Sequence, residues 1–114
     1  MPLLRIQTNS RLPHEQQRAL LGSASRLVAH QLGKPEKYVM VTIEHNPAML
    51  FAGEEEPLAY LELKSIGLPP AATGALSRAL CELVQEGLGI GPDRVYIEFS
   101  DAAPQMWGWN GGTF

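Results

Sequence analysis

Two segments of the chain, placed 57 residues apart, share one pattern. LGKPEKYVMV at 32–41 and LGIGPDRVYI at 88–97 both run from Leu-Gly through a proline, an acid and a base into a tyrosine-containing apolar stretch. Their prolines are Pro35 and Pro92, so the offset (92 − 35 = 57) is half of the 114-residue chain. This offset predicts an internal duplication, with a chance match of one pair of segments as the alternative.

Hydrophobic periodicity predicts one helix in each half of the chain. Apolar residues recur at three- and four-residue steps after Pro13, and Gly33 is the expected C-terminal stop of that helix. The same pattern follows Pro69 and ends near Gly89. The residues expected on the buried sides are Leu20, Leu21, Ala24, Leu27, Val28 and Leu32 in the first helix and Ala72, Leu76, Ala79, Leu80 and Leu83 in the second.

Alternating stretches rich in β-branched residues predict four strands. They cover residues 2–7, 38–45, 58–66 and 94–99. Because each half then has the order strand, helix, strand, we expect two right-handed βαβ units with parallel strands. The chain is predicted to be a single α+β domain with halves at 1–57 and 58–114. The closing segment QMWGWNGGTF is expected to add a small strand and a flexible end.

The predicted strands have two different faces, one apolar and one mixed. We expect a four-stranded mixed sheet whose apolar face is covered by both helices. That face comprises Leu4, Ile6, Val39, Val41, Ile43, Leu61, Leu63, Val95, Ile97 and Phe99. The other face carries Arg5, Gln7, Thr42, Glu44, Glu62, Lys64, Arg94 and Glu98 beside Tyr38, Met40, Tyr60 and Tyr96. Two interpretations of this second face are open: a solvated surface, or the wall of a wet channel where several subunits meet.

Composition excludes several classes of protein. Hydrophobic residues make up 45% of the chain and charged residues 18%, with a net charge of −3, which argues against disorder, a basic nucleic-acid surface and an acidic tail. Cys81 is the single cysteine, so no internal disulfide forms, and no apolar run approaches the roughly 18 residues of a membrane span. His14, His30 and His45 are too scattered for a metal site. A cytoplasmic protein without nucleic-acid or membrane partners is expected, with non-classical secretion left open.

Five short motifs, taken together, resemble one known family. The chain starts with MP, carries GKP at 33–35, SIG at 65–67, DRVYI at 93–97 and GWN at 108–110. This order and spacing is similar to that of the macrophage migration inhibitory factor family, also called phenylpyruvate or D-dopachrome tautomerase. The resemblance covers the whole chain. It implies two βαβ units per subunit and a homotrimer whose sheets face a central channel.

The resemblance also implies a reaction that needs no cofactor and no metal. In the family, the N-terminal proline nitrogen moves a proton between the keto and enol forms of a 2-keto acid such as phenylpyruvate or 4-hydroxyphenylpyruvate. Pro2 has that position here, once Met1 is removed. An ordinary α-amino group has a pKa of about 7.7–8.0, and that of a proline amine is higher, so an apolar pocket and a nearby cation must lower it.

Substrate-binding residues follow from the same resemblance. Lys34 matches the lysine that supplies the cation and binds the substrate carboxylate, and Ile66 matches a residue that contacts this carboxylate through its backbone. Tyr96 matches a tyrosine that reaches in from the adjacent subunit. The residues matching the surroundings of the substrate ring are Tyr38, Trp109 and Phe114. Without the resemblance, Lys34 would be interpreted as a surface lysine at a helix C-terminus.

Glu98 is the one clear departure in the pocket from the vertebrate cytokine, which has an asparagine at the matching position. There the asparagine lies at the far end of the pocket and bonds a phenolic hydroxyl, which implies a substrate-binding role for Glu98. The alternative is that Glu98 turns into the channel and pairs with Arg5, Lys64 or Arg94. An alternative also exists for the whole protein: a cytokine-like or interaction protein with a vestigial tautomerase pocket.

Overall fold

A computed structural model describes residues 1–114 and contains two helices and six strands. In chain order the elements are β1 (Leu3–Thr8), α1 (His14–Leu32), β2 (Met40–His45), β3 (Ala59–Ile66), α2 (Thr73–Leu88), β4 (Val95–Ala102), β5 (Gly108–Trp109) and β6 (Gly112–Thr113). The predicted order of strands and helices is therefore confirmed. Neither helix is long and apolar enough to cross a membrane.

The four long strands form one mixed sheet in the order β2-β1-β3-β4. Strand β1 runs parallel to β2 and β3 runs parallel to β4, so each half is a βαβ unit. The halves join through the antiparallel pair of β1 and β3, in which Ile6 lies opposite Leu61. This register aligns the apolar residues of all four strands on one face, as the alternation predicted.

The core lies between that apolar face and the two helices. Helix α1 buries Leu20, Ala24 and Val28, and helix α2 buries Leu76, Leu80 and Val84. Both sets follow a four-residue step, which keeps them on the side of the helix that faces the sheet. From the sheet, Leu4, Ile6, Leu61 and Leu63 are fully buried against them. Removal of this apolar surface from water is the main stabilising contribution to the fold.

Each of the two shared prolines starts a short 3₁₀ turn, and the last residue of each turn, Tyr38 or Arg94, was predicted to belong to the following strand. The Tyr38 amide donates to the Pro35 carbonyl over 3.1 Å, and the turn at 36–38 precedes β2, which begins at Met40 rather than at Tyr38. Likewise, a turn at 92–94 precedes β4, which then continues to Ala102, three residues beyond the predicted end. Tyr38 therefore lies in the turn before β2 and is not part of the sheet.

The C-terminus is folded, so the expectation of a flexible end is wrong. Strands β5 and β6 form a two-stranded hairpin whose turn residues, Asn110 and Gly111, have φ values of 52° and 78°. Two consecutive positive φ angles are typical of the tight turns that join adjacent strands. The Phe114 amide then donates to the Trp107 carbonyl over 3.1 Å, which brings the last side chain back onto the molecule.

The second sheet face is not covered by a helix and carries a network of charges. Arg5 donates to Glu44 over 2.9 Å and lies 3.5 Å from Glu62, which also pairs with Lys64 at 3.3 Å. All of these side chains lie on strands β1, β2 and β3. The predicted mixed face is therefore present. Because no helix covers it, it is compatible both with a solvated surface and with the wall of a channel between subunits.

Candidate active site

A cavity of about 290 Å³ opens where β1 begins. It lies between the N-terminus, the turn before β2 and the C-terminal hairpin. Four residues singled out from the sequence meet there: Pro2, Tyr38, Trp109 and Phe114. The remaining lining residues are Met1, Leu3, Lys37, Val39, Met40, Trp107 and Gly108. The fold thus joins the first residues of the chain to the last.

The N-terminal segment is held in this cavity by backbone hydrogen bonds. Pro2 is buried, and its carbonyl accepts the Met40 amide over 3.0 Å. The Met1 amine donates to the Tyr38 carbonyl over 3.1 Å. Partial burial, and then the positive charge of Lys34, lower the pKa of this amine below its ordinary value. An amine at the start of β1 is therefore in surroundings that favour its neutral form.

Three aromatic rings form one wall of the cavity. Tyr38 meets Trp109 and Phe114 edge to face, with ring centroids 5.4 and 5.8 Å apart, while Trp109 and Phe114 stack at 5.4 Å. These are favourable aromatic geometries. Trp109 nevertheless keeps 54% of its surface exposed. The wall is thus fixed by ring contacts and still offers apolar area to a flat ligand.

Lys34 and Ile66 meet beside this cavity without lining it. Helix α1 ends at Leu32 and is capped by Gly33, and the Lys34 amide donates back to the Ala29 carbonyl over 3.0 Å, so the chain reverses direction. The half-buried Lys34 side chain then donates through Nζ to the Ile66 carbonyl over 3.3 Å. No carboxylate lies within 4.0 Å of this ammonium group, since the ion pairs of the chain involve only Arg5 and Lys64. Its charge is available to an anion.

Lys37 is a cavity residue that the sequence interpretation missed. Its Nζ lies 5.1 Å from the centroid of the Tyr38 ring, within the range of a cation–π interaction. The only signal in the sequence was its place next to Tyr38, and an exposed lysine in a turn is an ordinary occurrence. Met40 and Trp107 were missed as lining residues in the same way.

Tyr96 and Glu98 lie on β4, which β3 separates from Pro2 and β1. The Tyr96 ring is 67% exposed and packs on Phe51 with centroids 4.7 Å apart. Glu98 accepts a hydrogen bond from the Tyr60 hydroxyl over 2.7 Å and pairs with none of the expected cations. This bond is the main reason that the pKa of Tyr60 is raised to about 12. A single subunit therefore does not bring these two residues to Pro2.

The match to known proteins extends over the whole chain. The family model of macrophage migration inhibitory factor matches residues 1–114. The chain belongs to the macrophage migration inhibitory factor family. Family members have tautomerase activity and cytokine roles, and homotrimers are typical of them.

Individual members of the family show the same likeness in sequence and in structure. A macrophage migration inhibitory factor homolog of Brugia malayi is 40% identical over 116 residues, which span all of this chain and 99% of that protein. The macrophage migration inhibitory factor of Meriones unguiculatus is 36% identical over 118 residues, with the same coverage. The crystal structure of the homologue from Prochlorococcus marinus matches with a TM-score of 0.93 and 42% identity over 98% of both chains.

Proposed function

We propose that this protein is a keto–enol tautomerase for 2-keto acids such as phenylpyruvate and 4-hydroxyphenylpyruvate. Pro2, once Met1 is removed, is the general base and acid of the reaction. The observation that carries the proposal is the site of the N-terminus: an amine there has a lowered pKa and adjoins a cavity with an aromatic wall. Removal of Met1 is essential, because the Pro2 nitrogen is an amide without a basic lone pair while Met1 is attached.

The proposed reaction is an isomerisation in which one proton changes place. The neutral Pro2 nitrogen takes a proton from the carbon next to the carbonyl. The electron pair of the broken C–H bond forms the carbon–carbon double bond of the enol. The carbonyl oxygen accepts a proton from solvent water and the protonated Pro2 releases its proton to solvent, so that the number of protons is unchanged. In the reverse direction the protonated Pro2 returns its proton to carbon. No oxidant, reductant or metal enters this balance.

A lowered amine pKa serves this reaction because only the neutral amine is a base. General bases work best with a pKa near the working pH. Burial at the start of β1 and the charge of Lys34 both act in that direction on the Met1 amine. A Pro2 amine that starts at the same strand would experience the same two effects.

Recognition of the substrate is assigned to two parts of the site. The ammonium of Lys34, which now donates to the Ile66 carbonyl, would bind the carboxylate together with the backbone N–H of Ile66. Tyr38, Trp109 and Phe114 would contact the ring of the substrate. A site with a positively charged end and an aromatic end is complementary to an aryl 2-keto acid, which has a carboxylate at one end and an aromatic ring at the other.

A complete site would require an adjacent subunit in a homotrimer. Tyr96 and Glu98 are exposed on the far strand of the sheet, and the open sheet face is uncovered. We infer that Tyr96 and Glu98 of one subunit extend the pocket that contains Pro2 of the next. Assembly would also turn the charged sheet face into the wall of a channel.

The test is the absorbance change between enol and keto phenylpyruvate with purified protein, after intact-mass analysis has verified that Met1 is absent. We expect activity in the wild type and a loss of at least about 100-fold in Pro2→Gly, within the usual contribution of a general base. Pro47→Ala, a change at an exposed loop proline, is the matched control and should be fully active. Full activity in material that retains Met1 contradicts the role of Pro2. Absent activity in processed wild type favours the cytokine-like interaction protein.

A further inference from the structure

We propose that Asp101 is a positioning residue for the carboxylate-binding end of the site. Its carboxylate accepts hydrogen bonds from the turn at 66–68, and the Ile66 carbonyl of this turn accepts a hydrogen bond from Lys34. The inference rests on the proposed function, since it assigns Lys34 and Ile66 to the substrate carboxylate. Asp101 itself has no contact with the cavity at the N-terminus.

The parallel pairing of β3 and β4 places Asp101 beside the end of β3. Ser65 lies opposite Asp101 in the register, and both strands end within one residue of this pair. Beyond β3, Oδ1 of Asp101 accepts two hydrogen bonds, from the Gly67 amide over 2.8 Å and from the Leu68 amide over 3.0 Å. Two successive amides that converge on one oxygen form an anion-binding concavity.

The backbone of the turn depends on this contact. Gly67 has a φ of 71°, a left-handed conformation that glycine adopts without strain. Glycine also gives the turn the freedom to move, so other contacts must hold it. Those contacts are the burial of the Leu68 side chain and the two hydrogen bonds to Asp101. Without the carboxylate, the Gly67 and Leu68 amides lose their partner, and the turn is held only by the pairing of Ile66 with Ala102 in the sheet and by the burial of Leu68.

The position of the turn determines the position of Lys34. The Ile66 carbonyl is the only hydrogen-bond partner of Lys34 Nζ, at 3.3 Å, and no carboxylate restrains the ammonium group. A lysine side chain has high rotamer entropy, so a shift of this carbonyl would release it. Asp101 therefore acts on the substrate carboxylate through the backbone at 66–68 and through Lys34.

The charge of Asp101 and the hydrogen bonds that it accepts are expected to have opposite effects on the binding of an anionic substrate. A negative charge near the carboxylate site would weaken binding, whereas a well-placed Lys34 strengthens it. Asp101→Asn removes the charge and keeps an acceptor oxygen, while Asp101→Ala removes both. The two variants consequently separate geometry from electrostatics. Asp93→Ala, at the opposite end of β4, is the matched control because Asp93 is exposed and has no hydrogen bond to a backbone turn.

The experiment compares steady-state kinetics with phenylpyruvate and with its methyl ester, which lacks the carboxylate charge. For Asp101→Ala we expect KM for the acid to rise about ten-fold, the size of one charge-assisted hydrogen bond, with kcat unchanged. KM for the ester should stay the same. Asp101→Asn keeps an acceptor oxygen and loses the opposing charge, so its KM for the acid should rise less than that of Asp101→Ala, and Asp93→Ala should resemble the wild type. A change of stability alone would not separate acid from ester in this manner.

Several outcomes would overturn the inference. The first is an unchanged KM for the acid in Asp101→Ala. The second is a rise in KM in this variant that is equal for acid and ester. The third is a rise in KM for the acid in Asp101→Asn that is as large as in Asp101→Ala. Inactive wild type would instead refute the proposed function. In that case amide hydrogen exchange still tests the contact itself: exchange at Gly67 and Leu68 should accelerate in Asp101→Ala and not in Asp93→Ala, and unchanged exchange would refute it.

Discussion

Replacement of Glu98 by glutamine tests whether this residue selects between two substrates. In the structure, Oε2 of Glu98 accepts the Tyr60 hydroxyl over 2.7 Å, which leaves Oε1 without a protein partner. If Glu98 lies at the far end of a neighbouring subunit's pocket, Oε1 can accept the phenolic hydroxyl of 4-hydroxyphenylpyruvate. Phenylpyruvate has no such hydroxyl, so only one of the two substrates makes this bond.

The expected size of the effect follows from the charge and exposure of Glu98. A hydrogen bond to a charged group contributes about 1.5–3 kcal/mol and a neutral one about 0.5–1.5 kcal/mol, so loss of the charge costs roughly 1–1.5 kcal/mol. Because Glu98 is exposed, solvent screening reduces this to about 1 kcal/mol, or about five-fold. Repulsion between Glu98 and the substrate carboxylate cancels in the comparison, since both substrates carry that carboxylate.

The assay is kcat/KM of Glu98→Gln for both substrates, relative to the wild type. We expect the ratio of phenylpyruvate to 4-hydroxyphenylpyruvate to rise about five-fold. Tyr60→Phe is the matched control, because it removes the competing donor and keeps the carboxylate; its ratio should stay equal or fall. An equal change for both substrates in Glu98→Gln, or no change, would refute the reasoning and leave Glu98 as a residue of the channel.

Three further predictions concern assembly, the cation and Tyr60. Light scattering should give a trimer in solution, and a fully active monomer would contradict the shared site. Lys34→Ala should raise KM for phenylpyruvate about ten-fold. It should also shift the rise of kcat/KM to higher pH, because loss of the positive charge raises the amine pKa. The control Lys37→Ala should leave this pH unchanged, and equal shifts in both variants would count against Lys34. The raised pKa of Tyr60 means that its neutral form is stabilised in the folded state, a contribution that is complete below about pH 10 and lost as the pH rises through about 12. Ultraviolet titration should show this pKa fall in Glu98→Gln, and an unmoved titration would exclude the hydrogen bond as its cause.

The order of the elements and the two faces of the sheet were determined by the sequence itself. Three- and four-residue steps predicted the buried sides of both helices, and two-residue alternation predicted which strand residues face them. These patterns are short-range, so they can be recognised without knowledge of the partners. The matching prolines at Pro35 and Pro92 predicted related transitions into β2 and β4, and both proved to be 3₁₀ turns.

The contacts of the site were decided by the tertiary structure alone. Glu98 and Tyr60 lie 38 residues apart, Asp101 and Gly67 34 apart, and Lys34 and Ile66 32 apart. Each pair meets only because strand pairing brings distant segments together in one register. Periodicity did not indicate that Phe114 would return to the ring of Tyr38, which only the family resemblance implied, and nothing in the sequence indicated that one carboxylate would hold the turn after β3. The physical reason is that secondary structure follows from neighbours along the chain, whereas the partner of a polar side chain depends on the register of strands that are far apart in sequence.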